Sequence, residues 1–417
     1  VSVLNLLEKG FVILSFLLFT GAVSPIVSES YGISPDEPDP ITRVLYVGIF
    51  VGTIILIIVW HKRVFHIVLK EKLLWALIGI VLGSVFWSTN PGETLRNLVT
   101  FVRSTLFGIY FGARYSLNEQ LRLLAWILGT AALLSVVFAL VPPHYGIMGI
   151  GANTTPEAMS HAGAWRGIYI HKNGLGRMMV LSALVFLLFA MSSRRYRWVL
   201  WAGFCLSVGL IVLSTSKTSL VLFAVLIALL PFYQALRWNY TLAVPFFITV
   251  IFVGGGAATL LITNADTILH AFGRDSTLTG RTELWAAVLD KIWEHPWLGY
   301  GYAGFWRGLN GGSGDVWSIV GWEAPHSHNG FLDLTLDLGL LGLSTFALSV
   351  IVVCLRAVTW IRLTKTAENL WPMVYLAFFL LANLTESSLF RQKPMWLLYV
   401  AITFSIHIRR SNFVDIS

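Results

Sequence analysis

"HSHNGFLDLTLDLGLLGL" occupies positions 326–343, and its two halves ask for different surroundings. His326, Ser327, His328 and Asn329 are polar, whereas the run from Gly330 onward is apolar enough to enter hydrocarbon and is interrupted only by Asp333, Thr335 and Asp337. The join reads as the mouth of a membrane-spanning helix. Composition extends that reading to the whole chain. Of 417 residues, 56% are hydrophobic and 12% charged, far from the half-apolar, quarter-charged usage of soluble domains, so the chain is read as an integral membrane protein. Its 17 Trp and 27 Phe suit lipid-facing and interfacial positions, where amphipathic rings settle at headgroup depth.

Apolar runs near the roughly 20 residues a helix needs to cross a bilayer begin around Phe11, Arg43, Lys72, Asn97, Leu121, Leu175, Trp198, Leu220, Thr241, Asn329, Leu370 and Pro394. The expectation is an all-α polytopic protein of about twelve transmembrane helices. The first run, Phe11 to Val27, is long for a signal-peptide core and reads as a retained span. Alternate connections are short and basic: "HKRVFHIVLKEK" at 61–72, "ARYSLNEQLR" at 113–122, "SSRRYR" at 192–197, "RWNY" at 237–240, "RLTKTAEN" at 362–369 and "RRSNFVDIS" at 409–417. Positive charge concentrates on the cytoplasmic side of membrane proteins, which places these segments and both termini there. The net charge of +8 follows from this topology and calls for no nucleic acid.

The opposite side carries the irregular sequence, 141–174 and a loop from 264 to 328. Connections of that length work as lids or binding elements in compact proteins. Within the longer one, Leu284, Trp285, Val288, Leu289, Ile292 and Trp293 recur at helical spacing before Pro296. They predict a helix lying along the membrane surface. The organisation expected is one integral membrane domain over 1–417, with 264–328 as its large non-cytoplasmic loop.

Cations on that outer side are not explained by topology. Lys217 stands among hydroxyl residues in "LSTSKTSL"; a lysine snorkelling to the interface is the plain alternative. Arg281 opens the surface helix, where the helix dipole disfavours a cation unless an anion also binds. His328 and Asn329 fall at another outward-facing helix start, again suited to an anion, and a histidine can accept a proton near neutrality. His326 and His328 share a face only if the backbone is extended, which favours one of them as the group that meets a substrate. Interface anchoring is the alternative for both. Asp333 and Asp337, four apart on one helix face, are suited to pair with basic groups inside the bundle and, as carboxylates within a span, are suspected of function; a favourable helix-dipole partner is the plain alternative for Asp333.

Other chemistries lack their motifs. No phosphate-binding loop, G-x-S-x-G or H-E-x-x-H occurs, and the outer loops hold no D-x-D pair. Cys205 and Cys354, the two cysteines, both lie in apolar runs, so no thiolate metal site or disulfide framework is expected. Neither a metal nor a cofactor is predicted.

Four stretches together resemble the bacterial O-antigen ligase and polysaccharide polymerase superfamily, the Wzy/WaaL group. They are "RGIYIHKNGLG" at 166–176, "LSTSKTSLV" at 213–221, "GRDSTLTGRTELW" at 273–285 and "HSHNGFLDLTLDLGLLGL" at 326–343. The resemblance implies a GT-C-like glycosyltransferase of the bacterial inner membrane, with its active site facing the periplasm. It implies an undecaprenyl-diphosphate-linked glycan donor, membrane lipid as surroundings, and a flippase and chain-length regulator as neighbours. By the same resemblance Arg281 matches the arginine that meets the diphosphate, and His328 the histidine that activates the acceptor hydroxyl. Lys217 stands where ligases commonly carry arginine, and the motif forms look more like exopolysaccharide polymerases. Arg274, Arg166, His326, Asn329 and Asp333 are the supporting substrate-binding candidates. A polymerase acting on a sugar hydroxyl is therefore expected ahead of a ligase acting on lipid A core, with a small-anion transporter as the rival of another class.

Overall fold

The computed structural model describes residues 3–22, 40–150, 159–238, 241–242, 281–309, 311–390 and 393–414. Among these the regular structure is all helical, with a single isolated antiparallel bridge between Ile147 and Trp165. Among the described residues five helices are long and apolar enough to cross a membrane: Pro40–Val59, Leu117–Leu140, Lys172–Ser192, Lys217–Ala235 and Gly330–Leu363. Shorter apolar helices lie at Lys72–Phe86, Arg197–Leu213, Ala367–Ala382 and Pro394–Ile406. The protein is thus a polytopic membrane protein, as its composition predicts. A helix stands at each expected span start except that near Thr241, where only Thr241 and Leu242 are described.

The burial pattern follows the side chains. Lys172–Ser192 is apolar on all faces and buried almost throughout, the signature of a helix enclosed by others rather than lying at a surface. Pro40–Val59 instead exposes Val44, Val47, Val51, Ile55 and Ile58, a stripe at helical spacing suited to lipid. Pro91–Arg114 lies close against Lys393–Val414, and a Cβ on Gly112 would stand 2.6 Å from the carbonyl oxygen of Ala401. Small residues four apart, Gly108 and Gly112, let the two backbones approach.

Gly330–Leu363 is two helices joined at Gly339, whose φ of 64° and ψ of −167° interrupt the helix. Such backbone is essentially restricted to glycine. Broken helices survive at membrane depth only where protein re-satisfies their polar groups, and "PWLGYGYAGFW" at 296–306 does so here. Leu340 N donates to Pro296 O over 2.7 Å, Leu341 N to Trp297 O over 3.2 Å, and Tyr300 N to Leu336 O over 2.7 Å. The single apolar run expected from Asn329 therefore becomes a short inner segment, carrying Asp333 and Asp337, and a longer helix beyond it.

The helix expected before Pro296 spans Arg281–Glu294. Leu284, Ala287, Val288 and Ile292 pack with Tyr300, Phe305, Val316, Ala324 and Leu336 into a separate apolar cluster. Leu289 and Trp293 stay exposed on the other face. This layer sits over the amino end of Gly330–Leu363 and sets the position of the histidine turn.

Candidate active site

The turn 326–329 is held from several directions. Ser327 is fully buried; its N–H donates to Asp333 Oδ1 over 3.2 Å, and its hydroxyl donates to Asn329 O over 2.7 Å. Trp285 Nε1 of the Arg281–Glu294 helix donates to Ser327 O over 2.9 Å, and Trp306 Nε1 donates to Asp333 Oδ1 over 2.9 Å. His328 has φ of 54°, a left-handed conformation uncommon outside glycine, costing about 1–2 kcal/mol. Strain of this kind persists only where the surroundings over-determine it, and such residues concentrate at functional sites.

The tertiary structure adds Glu386, which the sequence reading did not single out. One ligand atom from each of His326, His328 and Glu386 falls within 4.8 Å of the others. Glu386 belongs to "NLTESSLF" at 383–390, between two apolar helices. Arg177 Nη1 stands 3.9 Å from its Oε2, and Asn173 Nδ2 donates to its Oε1 over 3.4 Å. Burial alone raises the proton affinity of this carboxyl, but Arg177, His326, His328 and Arg281 together outweigh it and hold the pKa below the usual value.

Other predicted residues divide into those brought to this point and those kept elsewhere. Arg281 donates from Nη1 to Thr385 O over 3.1 Å, directly before Glu386. Lys217 is the first residue of its helix, and the adjacent Ser216 hydroxyl donates to Asn173 Oδ1 over 3.0 Å, linking that helix end to Glu386 through Asn173. Gly176 allows this approach, since a Cβ there would lie 2.5 Å from Ser219 Oγ. Thr215, two residues before Lys217, is also left-handed at φ 50°. Arg166 instead donates from Nε to Tyr145 O over 2.9 Å and from Nη2 to His144 O over 3.0 Å, tying it to the turn at 144–145. Arg274 lies outside the described residues.

Asn329 serves as a helix cap, its Oδ1 accepting from Phe331 N over 3.0 Å and Leu332 N over 3.3 Å. Gly330 N donates to Asn383 O and Asp333 N to Asn329 O. All four first-turn N–H groups are thus engaged by the protein, and the anion expected at this helix start finds no donors there. The cations that meet at Glu386 instead are the side chains of Arg177 and Arg281, and Lys217 begins the helix whose preceding Ser216 bonds Asn173. Arg177 was legible as a lone charge in an apolar run, the ordinary mark of an intramembrane functional residue. Glu386 carried only the weaker mark of a lone charge in a short connection.

The two histidines are not equivalent. His326 Nδ1 accepts the backbone N–H of His328 over 3.1 Å, so a neutral His326 carries its proton on Nε2 and presents a donor. Such a ring has no basic nitrogen to spare for an acceptor hydroxyl. The spacing of His326, His328 and Glu386 would admit a transition-metal ion, but a His326 whose Nδ1 is already an acceptor has a protonated Nε2, and two guanidinium groups face the same carboxylate. Both features oppose a cation. The donor set suits proton handling beside an anion.

Residues 202–347 match the family model described as O-Antigen ligase. The match takes in Lys217, Arg281, His326, His328, Asn329 and Asp333, and leaves Arg166, Arg177 and Glu386 outside it. The chain is also similar to "Exopolysaccharide production protein ExoQ" of Rhizobium meliloti (strain 1021), 26% identical over 271 residues. That similarity covers 62% of this chain and 59% of the relative.

Proposed function

We propose that this chain, with its O-antigen ligase family region at 202–347, is a membrane glycosyltransferase that polymerises polysaccharide repeats carried on a lipid diphosphate. The carrier is an undecaprenyl diphosphate and the acceptor a sugar hydroxyl of a second glycan. The site faces the periplasm from the inner membrane, because the basic connections lie at the other end of the helices. The observation that carries the reading is the convergence of Arg281 and the histidine turn on one loop, 383–390, through Arg281 to Thr385 O and the grouping of His326 and His328 with Glu386.

The chemistry follows from that arrangement. The acceptor oxygen attacks the anomeric carbon while the bond from that carbon to the diphosphate oxygen breaks. His328 takes the hydroxyl proton, and the carrier diphosphate leaves with the bonding electron pair. Its charge meets Arg281 and Lys217, whose effect is larger in a partly dehydrated site than in water. Diphosphate leaves readily as an anion, so the paired carboxylates of a glycosidase are not required. Polymerisation is preferred over transfer to lipid A core because Lys217 lacks the two-pronged guanidinium of ligases and because the similar protein above is named for exopolysaccharide production.

The test is direct. Purified protein is given an undecaprenyl-diphosphate-linked oligosaccharide repeat, with and without lipid A core, and the glycan length is read by gel or mass spectrometry. Longer chains without core support polymerase; products only with core would make it a ligase, and no product with either would set the transferase reading aside. Arg281→Lys is expected to lose most activity despite its preserved charge, since an ammonium cannot reproduce a forked contact. Lys217→Arg is expected to keep substantial activity.

A further inference from the structure

We infer that Glu386 is a positioning residue for the histidine pair, holding the His328 imidazole in place and stabilising the imidazolium formed when it takes a proton. The inference rests on the transferase reading for its kinetic arm alone.

The carboxylate is placed independently of the histidines. Asn173 and Arg177 hold it from the Lys172–Ser192 helix, and Arg281 grips the adjacent Thr385 carbonyl from the Arg281–Glu294 helix. Glu386 is the sole charged residue of 383–390. A carboxylate is a poor choice for a diphosphate pocket, since like charges repel and burial penalises its ionised form. Its contribution therefore lies with the groups it attracts. Arg177 and Arg281 alone would oppose a second positive charge on His328, yet accepting the hydroxyl proton creates one. Glu386 offsets that opposition from within the 4.8 Å cluster, and the proton itself stays on His328 while Glu386 remains ionised. The charged and titratable groups acting on Glu386 are Arg177, His326, His328 and Arg281, and the other carboxylate at the histidine turn is Asp333, whose Oδ1 accepts the Ser327 N–H; removing Glu386 leaves Asp333 alone to offset the two guanidinium groups.

The experiment uses the full chain in nanodiscs and two independent measurements. Diethylpyrocarbonate acylates unprotonated imidazole, and mass spectrometry of the His328 peptide across pH gives the protonation midpoint without any substrate. In Glu386→Gln this midpoint is expected to fall by about one pH unit. With undecaprenyl-diphosphate-linked oligosaccharide, the plateau turnover should drop by about tenfold or more and the acid limb should move to lower pH, because a weaker base deprotonates earlier and accepts less well. Donor binding should not weaken. An unmoved midpoint together with an unmoved limb overturns the inference, even if turnover falls. If Glu386→Gln does not accumulate, Glu386→Asp decides: its shorter carboxylate should shift the midpoint in the same direction by less, and no shift overturns the assignment. Should the wild type fail to use the donor, the transferase reading fails while the acylation midpoint still judges Glu386.

Discussion

His326 Nδ1 accepts the backbone N–H of His328 over 3.1 Å, and the two imidazole centroids lie 4.2 Å apart. One ring thereby braces the turn that presents the other. The rings share one side although His328 is left-handed rather than extended.

This asymmetry predicts different losses. His328→Ala is expected to lower turnover by about a hundredfold or more, the usual range for a positioned general base, with lipid-diphosphate binding nearly intact. His326→Ala should cost less, and its loss should appear in the stability of the turn as well as in turnover. Side-by-side donor binding and turnover check this; a dead His326→Ala beside an active His328→Ala would exchange the roles.

At the helix break, Gly339→Ala should be poorly tolerated. A Cβ there would stand 2.2 Å from the carbonyl carbon and oxygen of Trp297, and the backbone itself is glycine-specific. The loss is expected to exceed about 2 kcal/mol, seen as a lower thermal midpoint in detergent. Gly79→Ala, with open space around its Cβ position, is the matched control and should be neutral. Equal midpoints for both variants would mean that the loop 296–306 does not need the break.

Glu386 makes stability depend on pH with a definite sign. Its carboxyl is held below the ordinary value of 4.5, burial opposing and Arg177 leading the groups that lower it. A group whose folded pKa is depressed stabilises above its unfolded pKa, and that contribution is lost as pH falls through the folded value. The thermal midpoint of wild type should therefore exceed that of Glu386→Gln by its full margin near neutrality. The margin should shrink as pH drops below 4.5. A margin independent of pH would show that the carboxylate's charge is not what stabilises the loop.

The orientation of the helices is testable by labelling. Arg194 and Ser318 are both exposed and lie on opposite sides of the expected topology. In intact cells, an impermeant maleimide should modify Ser318→Cys and spare Arg194→Cys until the membrane is permeabilised. The reverse pattern would invert the map.

Periodicity and charge made much of the protein legible. Apolar run length located the helices, because crossing hydrocarbon imposes a length that composition must meet locally. The helix before Pro296 was readable from its spacing, and Arg281, Lys217 and the histidine turn from polar residues where a membrane protein has no topological use for them. The break at Gly339 was hidden, since Leu340 and Leu341 continue the apolar run and the carbonyls that receive their N–H groups come from Pro296 and Trp297. The role of Asn329 was hidden likewise, because a cap and an anion ligand look alike until partners for the first-turn N–H groups are known. Glu386 lies 58 positions beyond His328, in a connection with no motif. Run length and charge act along the chain and can be read there, but the meeting of Glu386 with Arg177 and two imidazoles depends on three helix ends and one loop packing together, and no local pattern encodes such a junction.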